Sequence, residues 1–231
     1  MAPPVAGYFA WYDVSRIVGG VNGSAISPWP DLSGNGYDLT TSSVAAVYRV
    51  NQLNGLPGVE FSGASMQTSA FTAVTAGTVF IVANSVQTDL YNYLFDGIAE
   101  TNRWAMGYQI ITHGDMSTYA GGLFSGYAES VPSGFAQWTA TFAGDASSVL
   151  RKNGVNQFTA DVGAQSLTGI TLGNNFNGGD LGSLSDVKIC EAIYYPSVLS
   201  TPDIASVESY LNTKWFVAPV TQKSSMLFTF T

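Results

Sequence analysis

Short apolar runs recur along the chain at 7–12, 58–61, 78–83, 91–95, 104–111, 137–142, 147–151 and 187–195, with Gly-, Asn- and Ser-rich steps between them. Runs of this length are too short for helices, and the punctuation between them supplies the backbone conformations that reverse a chain between strands. The best-defined reversal is Asn153-Gly154, between a run ending at Arg151 and one entering 155–158. Asn and Gly both tolerate positive φ, so the step predicts a two-residue β-hairpin. One stretch breaks the pattern. Thr201 suits an N-cap and Pro202 a first helical position, Asp203 suits the positive end of the helix dipole, and Ile204, Val207 and Leu211 share a face. A helix over 202–213, lying against an edge or end of the sheets, is expected.

These elements fit one all-β sandwich, and 231 residues are enough to bury its core. Charged residues make up only 10% of the chain, so its surface must consist mainly of Ser, Thr, Asn, Gln and Gly. Such a surface suits an exported protein or one packed against a neighbour. Eight bases against sixteen acids, with no basic stripe, give nucleic acid no footprint. No stretch approaches the ~20 apolar residues that cross a bilayer, and the N-terminus lacks a basic segment followed by an apolar one, so neither a membrane span nor an ordinary secretory signal is expected. Cys190, the only cysteine, sits in an apolar run and reads as a buried thiol.

Two distant segments carry further information. Near the start stand Trp11-Tyr12-Asp13 and Asp31-Leu-Ser-Gly-Asn-Gly36; near the end stand Glu191-Ala-Ile-Tyr-Tyr195, Leu199-Ser200 and Tyr210-Leu-Asn-Thr-Lys-Trp215. Together they resemble the opening (W-x-D, then D-x-S-G-N-G) and closing (E-x-x-x-Y, L-S, Y-L-x-x-K-W) of a laminin-G-like domain of the concanavalin A-like lectin and glucanase superfamily. The resemblance covers about 8–217 and implies a jelly-roll sandwich of two antiparallel sheets with a short C-terminal helix. On that basis 1–217 form the domain. Residues 218–231 form an extension in which Met226, Leu227, Phe228 and Phe230 alternate as in a strand. Such a strand is free to pair with a sheet edge, its own or a neighbour's, as an assembly arm.

The resemblance also frames the candidate sites. Relatives of this kind hold calcium through an Asp with a second oxygen donor, which here points to Asp31 with Asn35 or Asp38; the alternative is a turn locked by its own side chains. Trp11, Asp13 and Glu191 read as structural, Glu191 through loop N–H groups or an Arg. For a glycan, the candidates are Trp104, Tyr108, Tyr119 and Tyr127, with Tyr91, Tyr93 and Phe124 nearby, because flat rings stack on pyranose faces. Tyr91, Tyr93 and Phe95, alternating on one face, also fit an ordinary buried sheet surface. The superfamily's retaining hydrolases carry E-x-D-x-x-E on one strand, and this chain has no such triplet. In the nearest approach, Asp186 and Glu191 are five residues apart, so a regular strand points them to opposite faces. His113, the only histidine, has no nucleophile beside it.

Sequence variants of this type are similar to domains in tailed-phage virion proteins and bacterial surface proteins. The leading expectation is a non-enzymatic virion component of the capsid-decoration or fibre type, assembling as a homo-oligomer, contacting other virion proteins and touching host glycans. The alternative is a carbohydrate-binding lectin module at a bacterial surface or outside the cell.

Overall fold

The computed structural model describes residues 1–42, 44–85, 92–108, 115–128, 134–176 and 186–217, with the side chains of 123–128 excepted. In chain order its strands are β1 (Ala10–Asp13), β2 (Ala25–Ile26), β3 (Thr40–Thr41), β4 (Ala46–Leu53), β5 (Leu56–Ser62), β6 (Met66–Gln67), β7 (Gly77–Ser85), β8 (Asn92–Asp96), β9 (Ala105–Tyr108), β10 (Asp115–Tyr119), β11 (Leu123–Ala128), β12 (Ala136–Phe142), β13 (Ser148–Lys152), β14 (Val155–Ala160), β15 (Thr171–Leu172) and β16 (Asp186–Tyr195), followed by helix α1 (Thr201–Trp215). Among the described residues the strands form two antiparallel sheets. One has nine strands in the order β14-β13-β12-β7-β16-β5-β4-β2, with β1 also on β16; the other has seven, ordered β11-β10-β9-β8-β15-β6-β3. The expected all-β sandwich is the observed one.

The two sheets meet through apolar side chains at alternate strand positions. Trp104 stacks on Phe142 across the gap at 4.7 Å between ring centres, and Tyr108 meets Trp138 edge-on at 5.6 Å. Val79, Ala192 and Tyr194 of the larger sheet close on Phe95 and Leu172 of the smaller one. Gly173, just after β15, has φ +84°, and a Cβ there would run into the Phe61 ring. The sheets come together at that point because the position is glycine.

Two of the hairpins turn on Asn-Gly. The predicted one joins β13 to β14, with Asn153 at φ +48° and Gly154 at +79°. A second, Asn54-Gly55 at +51° and +77°, joins β4 to β5. Helix α1 starts one residue before the expected position. Ser200 is the cap, accepting from the Asp203 N–H at 3.3 Å while its hydroxyl donates to the Asp203 carboxylate at 2.6 Å, so Thr201 is helical and Pro202 follows inside the first turn. The helix lies across the outer face of the nine-stranded sheet, not at an edge. Ile204, Val207, Tyr210, Leu211 and Trp215 are buried there.

Candidate functional site

The motif residues at the two ends of the chain converge on one buried point. Pairing of β1 with β16 sets Asp13 opposite Glu191, and α1 brings Tyr210, Lys214 and Trp215 down onto the same place. Glu191 is fully buried and accepts four hydrogen bonds. Oε1 takes Trp11 Nε1 (2.7 Å) and Tyr210 OH (2.8 Å); Oε2 takes Lys214 Nζ (2.7 Å) and Trp215 Nε1 (2.6 Å). Lys214 Nζ also reaches Asp13 Oδ2 at 2.5 Å, while Asp13 Oδ1 caps the turn that follows by accepting from Ser15 N and Oγ. Burial pushes the Glu191 carboxyl above the usual carboxylate range, against the pull of Lys214, and burial together with the Glu191 charge pushes the Tyr210 hydroxyl up. Every oxygen of Glu191 is occupied, so it forms a clamp. Its partners are an ammonium, two indoles and a phenol, in place of the expected loop N–H groups or Arg. A retaining glycosidase pair would need an accessible cleft between its carboxylates; here Lys214 fills that space.

One bulge changes the expected facing of the carboxylates on β16. The register between β16 and β7 shifts between Ile189 and Glu191, which puts Cys190 in the extra position. Asp186, Lys188 and Glu191 therefore share the outer face, where a regular strand would have turned Asp186 and Glu191 apart. Five residues of strand still separate the two carboxylates by roughly 17 Å.

The Asp31–Gly36 turn is saturated by its own backbone. Asp31 Oδ1 accepts from Trp11 N (3.0 Å) and Ser33 N (2.9 Å), and Oδ2 from Ser33 Oγ (2.7 Å) and Tyr37 N (3.1 Å). Asp38 accepts from Asp31 N at 2.8 Å, and Asn35 donates its amide to the Phe9 carbonyl at 2.9 Å. Calcium needs six to eight oxygens with lone pairs to spare, and Asp31 has none left. Asp31, Asn35 and Asp38 lock the turn against β1. Among the described residues no three His, Cys, Asp or Glu side chains gather in a way that would hold a metal.

The expected glycan platform divides. Trp104 and Tyr108 are 0% and 2% exposed and belong to the core between the sheets, so neither is a surface for a sugar. They sit inside because they are the large rings that fill the gap opposite β12. Tyr93 and Phe95 do not share a face. A register shift between them turns Phe95 inward and leaves Tyr93 on the outer face of the seven-stranded sheet, in a separate small cluster with Ala105 and the half-buried Tyr119. Tyr127 stands on β11 opposite Met116, its side chain outside the described set. Tyr91, His113, Met226, Leu227, Phe228 and Phe230 lie outside the described residues.

Arg103 organises that outer face, and nothing in the sequence reading singled it out. Its Nε and Nη2 donate to the two oxygens of buried Asp96 at 2.8 and 2.9 Å, a two-pronged pair that fixes the guanidinium plane. Around it lie the rings of Phe176, Tyr119 and Tyr93, at 4.7, 5.3 and 6.0 Å from the guanidinium carbon. Asp96 also accepts from Gly97 N and Phe176 N. Burial pushes its carboxyl up to about 7 while Arg103 and these N–H groups pull it down. A signal was present in the sequence: in a chain with only eight bases, an Asp closing one strand and an Arg just before the next form an expected cross-loop pair.

The result is a guanidinium of fixed plane set among three aromatic rings. No known protein family matches the chain, and no curated protein matches it. Solved structures do match in fold. Domain 4 of a GH43 extracellular arabinanase from Geobacillus stearothermophilus, in complex with arabinotriose, is 14% identical with a TM-score of 0.60, over 87% of this chain and 98% of that domain. Trypanosoma rangeli sialidase in complex with sialic acid is 13% identical with a TM-score of 0.61, over 90% of this chain. The botulinum neurotoxin serotype D binding domain is 14% identical with a TM-score of 0.61, over 88% of this chain. The chain spans only 33% of the sialidase and 51% of the neurotoxin domain. These likenesses show the fold, a β-sandwich shared with parts of glycosidases and of a toxin.

Proposed function

We propose that this chain is a non-enzymatic carbohydrate-binding sandwich whose ligand lies over Arg103 and Tyr119 on the outer face of the seven-stranded sheet. The observation that carries the reading is the Arg103 guanidinium, held flat by Asp96 and ringed by Tyr93, Tyr119 and Phe176. A sugar presents apolar C–H faces and hydroxyls together, and this patch offers aromatic rings beside a fixed donor. Asp96 takes the Nε–Nη2 edge of the guanidinium, which leaves Nη1 to donate to a hydroxyl. The fold likeness to an arabinanase domain solved with arabinotriose, and to a part of a sialidase solved with sialic acid, supports the same class of ligand. Outside or on the surface of a cell is the setting this suits, and no helix among the described residues is long and apolar enough to cross a membrane.

The test is calorimetric titration with arabinotriose, N-acetylneuraminic acid and a panel of neutral oligosaccharides, on the native chain, Tyr119→Ala and Arg103→Lys, each first shown to melt cooperatively. Binding that weakens about tenfold in both variants supports the site. No binding by the native chain, or binding that neither change touches, overturns it. The virion-assembly reading draws on the strand-like alternation of 218–231. It predicts a closed oligomer that dissociates when the chain is cut before Met226; native mass spectrometry of the full and shortened chains reads this directly.

A further inference from the structure

On the opposite side of the sandwich a polar groove of about 370 Å³ runs between α1 and the β12–β13 strands, lined by Gln137, Arg151, Asn153, Gly154, Glu208 and Asn212, among others. Its floor is built by the Asn153-Gly154 turn. Asn153 Oδ1 accepts from Gln137 N at 2.9 Å and Asn153 N donates to Gln137 O at 2.8 Å, which pins the Gln137 backbone. The wall is Glu208 from α1, which takes Thr139 Oγ1 (2.9 Å) and Arg151 Nε (2.8 Å) on one oxygen and Arg151 Nη2 (3.0 Å) on the other. One feature of the groove is unsatisfied. Gln137 is 2% exposed, and its Nε2 amide has no hydrogen-bond partner among the described residues. Buried amide donors are almost always paired, because leaving them unpaired forfeits their hydration for nothing.

We propose that this groove is a saccharide site in its own right, for a neutral polyhydroxyl ligand whose hydroxyl oxygen accepts from Gln137 Nε2. The charges select the class. Arg151 and Glu208 cancel each other at the wall, so an anion faces a carboxylate and a cation faces a guanidinium, whereas a hydroxyl accepts from the amide and donates to the remaining lone pair of Glu208 Oε2. Among the described residues no aromatic ring lines the groove, so recognition is edge-on, by planar amides and the ion pair. The volume falls within the range of small-molecule pockets. The inference does not depend on the Arg103 patch. If both sites bind, they lie on the outer faces of different sheets, and one chain would bridge two glycans.

The experiment is ¹⁵N NMR of the whole chain, following the side-chain amides of Gln137 and Asn153 during titration with arabinose, galactose, glucose and, as the anionic control, N-acetylneuraminic acid, with Asn153 as the readout where Gln137 is replaced. It is run on the native chain, Tyr119→Ala and Gln137→Met. The expected result is a saturable shift with a neutral sugar, with Kd on the order of 1 mM, preserved in Tyr119→Ala and weakened at least about tenfold in Gln137→Met. Because Tyr119 is on the other sheet, loss of the Arg103 site leaves this readout standing. Should Gln137→Met not fold, Asn212→Trp, on the exposed helix rim, blocks the groove from outside and must abolish the shift. An amide unmoved by every neutral sugar, which would leave the groove to water alone, a shift only with the anion, or undiminished binding in a folded blocking variant overturns the proposal.

Discussion

Replacing Lys214 with Met keeps the side-chain length and apolar stem and deletes only the ammonium that joins Asp13 to Glu191. Both carboxylates have side chains with no solvent exposure, and Lys214 lies 2.5 Å from one and 2.7 Å from the other. Removing one partner from a buried ion pair costs about 3–5 kcal/mol, because the charge left behind keeps its desolvation penalty. Lys214 is 15% exposed and Glu191 retains three neutral donors, which places the loss near the lower end, about 3 kcal/mol. For a chain of this size that is a fall of about 6–12 °C in Tm. Denaturant melts followed by tryptophan fluorescence are the natural assay, since Trp11 and Trp215 both bond Glu191. The pH dependence has a definite sign. Burial already raises the Glu191 carboxyl in the folded chain; without the ammonium it rises further above its unfolded value. A group raised on folding stabilises below its unfolded pKa and loses that contribution as pH rises, so the deficit of Lys214→Met must shrink between pH 7 and pH 5. Glu191→Gln is also destabilising, because the amide N–H groups must then face either the Trp215 N–H and Lys214 or the Trp11 N–H. The double variant should lose less than the sum of the two by about 2 kcal/mol. A Lys214→Met chain within about 1 kcal/mol of native at pH 7, or strict additivity in the double variant, would refute the clamp.

Gly173→Ala combines a positive φ with a clash against the Phe61 ring and should cost about 3 kcal/mol or more in denaturant melts. Cys190 is fully buried and burial holds its thiol well above the ordinary range, so a thiol reagent should modify it only as fast as the native chain opens, and quickly in denaturant. Asp96, raised to about 7 by burial, contributes stability that is complete below its unfolded pKa and disappears as pH rises through about 7. Denaturant midpoints at pH 5.5 and 8 should differ by about 2 kcal/mol in favour of the lower pH, and Asp96→Asn should flatten that difference.

The ends of the chain were legible because their residue types are dictated by one buried ion network. A Trp, an Asp, a Glu and a Tyr-x-x-x-Lys-Trp helix end are what it takes to fill the lone pairs around Glu191. The Asn153-Gly154 hairpin was legible for a similarly local reason, positive φ at two successive positions. The Asn54-Gly55 hairpin carried the same signal, but β4 is half polar, Arg49, Asn51 and Gln52 included, so no apolar run marked it. The bulges at Cys190 and between Tyr93 and Phe95 were not legible, because the extra residue is accommodated by the neighbouring strand and leaves no mark in the strand's own pattern. They decide which face Glu191 and Tyr93 occupy. Trp104 and Tyr108 show the same limit from the other side: a ring's sequence position does not say whether it fills a gap between sheets or faces water. Gln137 belongs to a groove between helix and hairpin that only the packing of α1 creates.

The clamp also constrains the order of events during synthesis. Trp11 and Glu191 are separated by 180 positions, and Lys214 stands 201 positions from Asp13. Residues of β1 thus wait for residues made about 180 to 200 positions later, and β1 reaches its partner strand only after β16 has emerged from the ribosome. Contacts this distant make closure slow, and until then the segment between them carries uncovered strand edges. Nascent chains stalled before Trp215 should accordingly be protease-sensitive throughout, with protection appearing in one step once the helix is released.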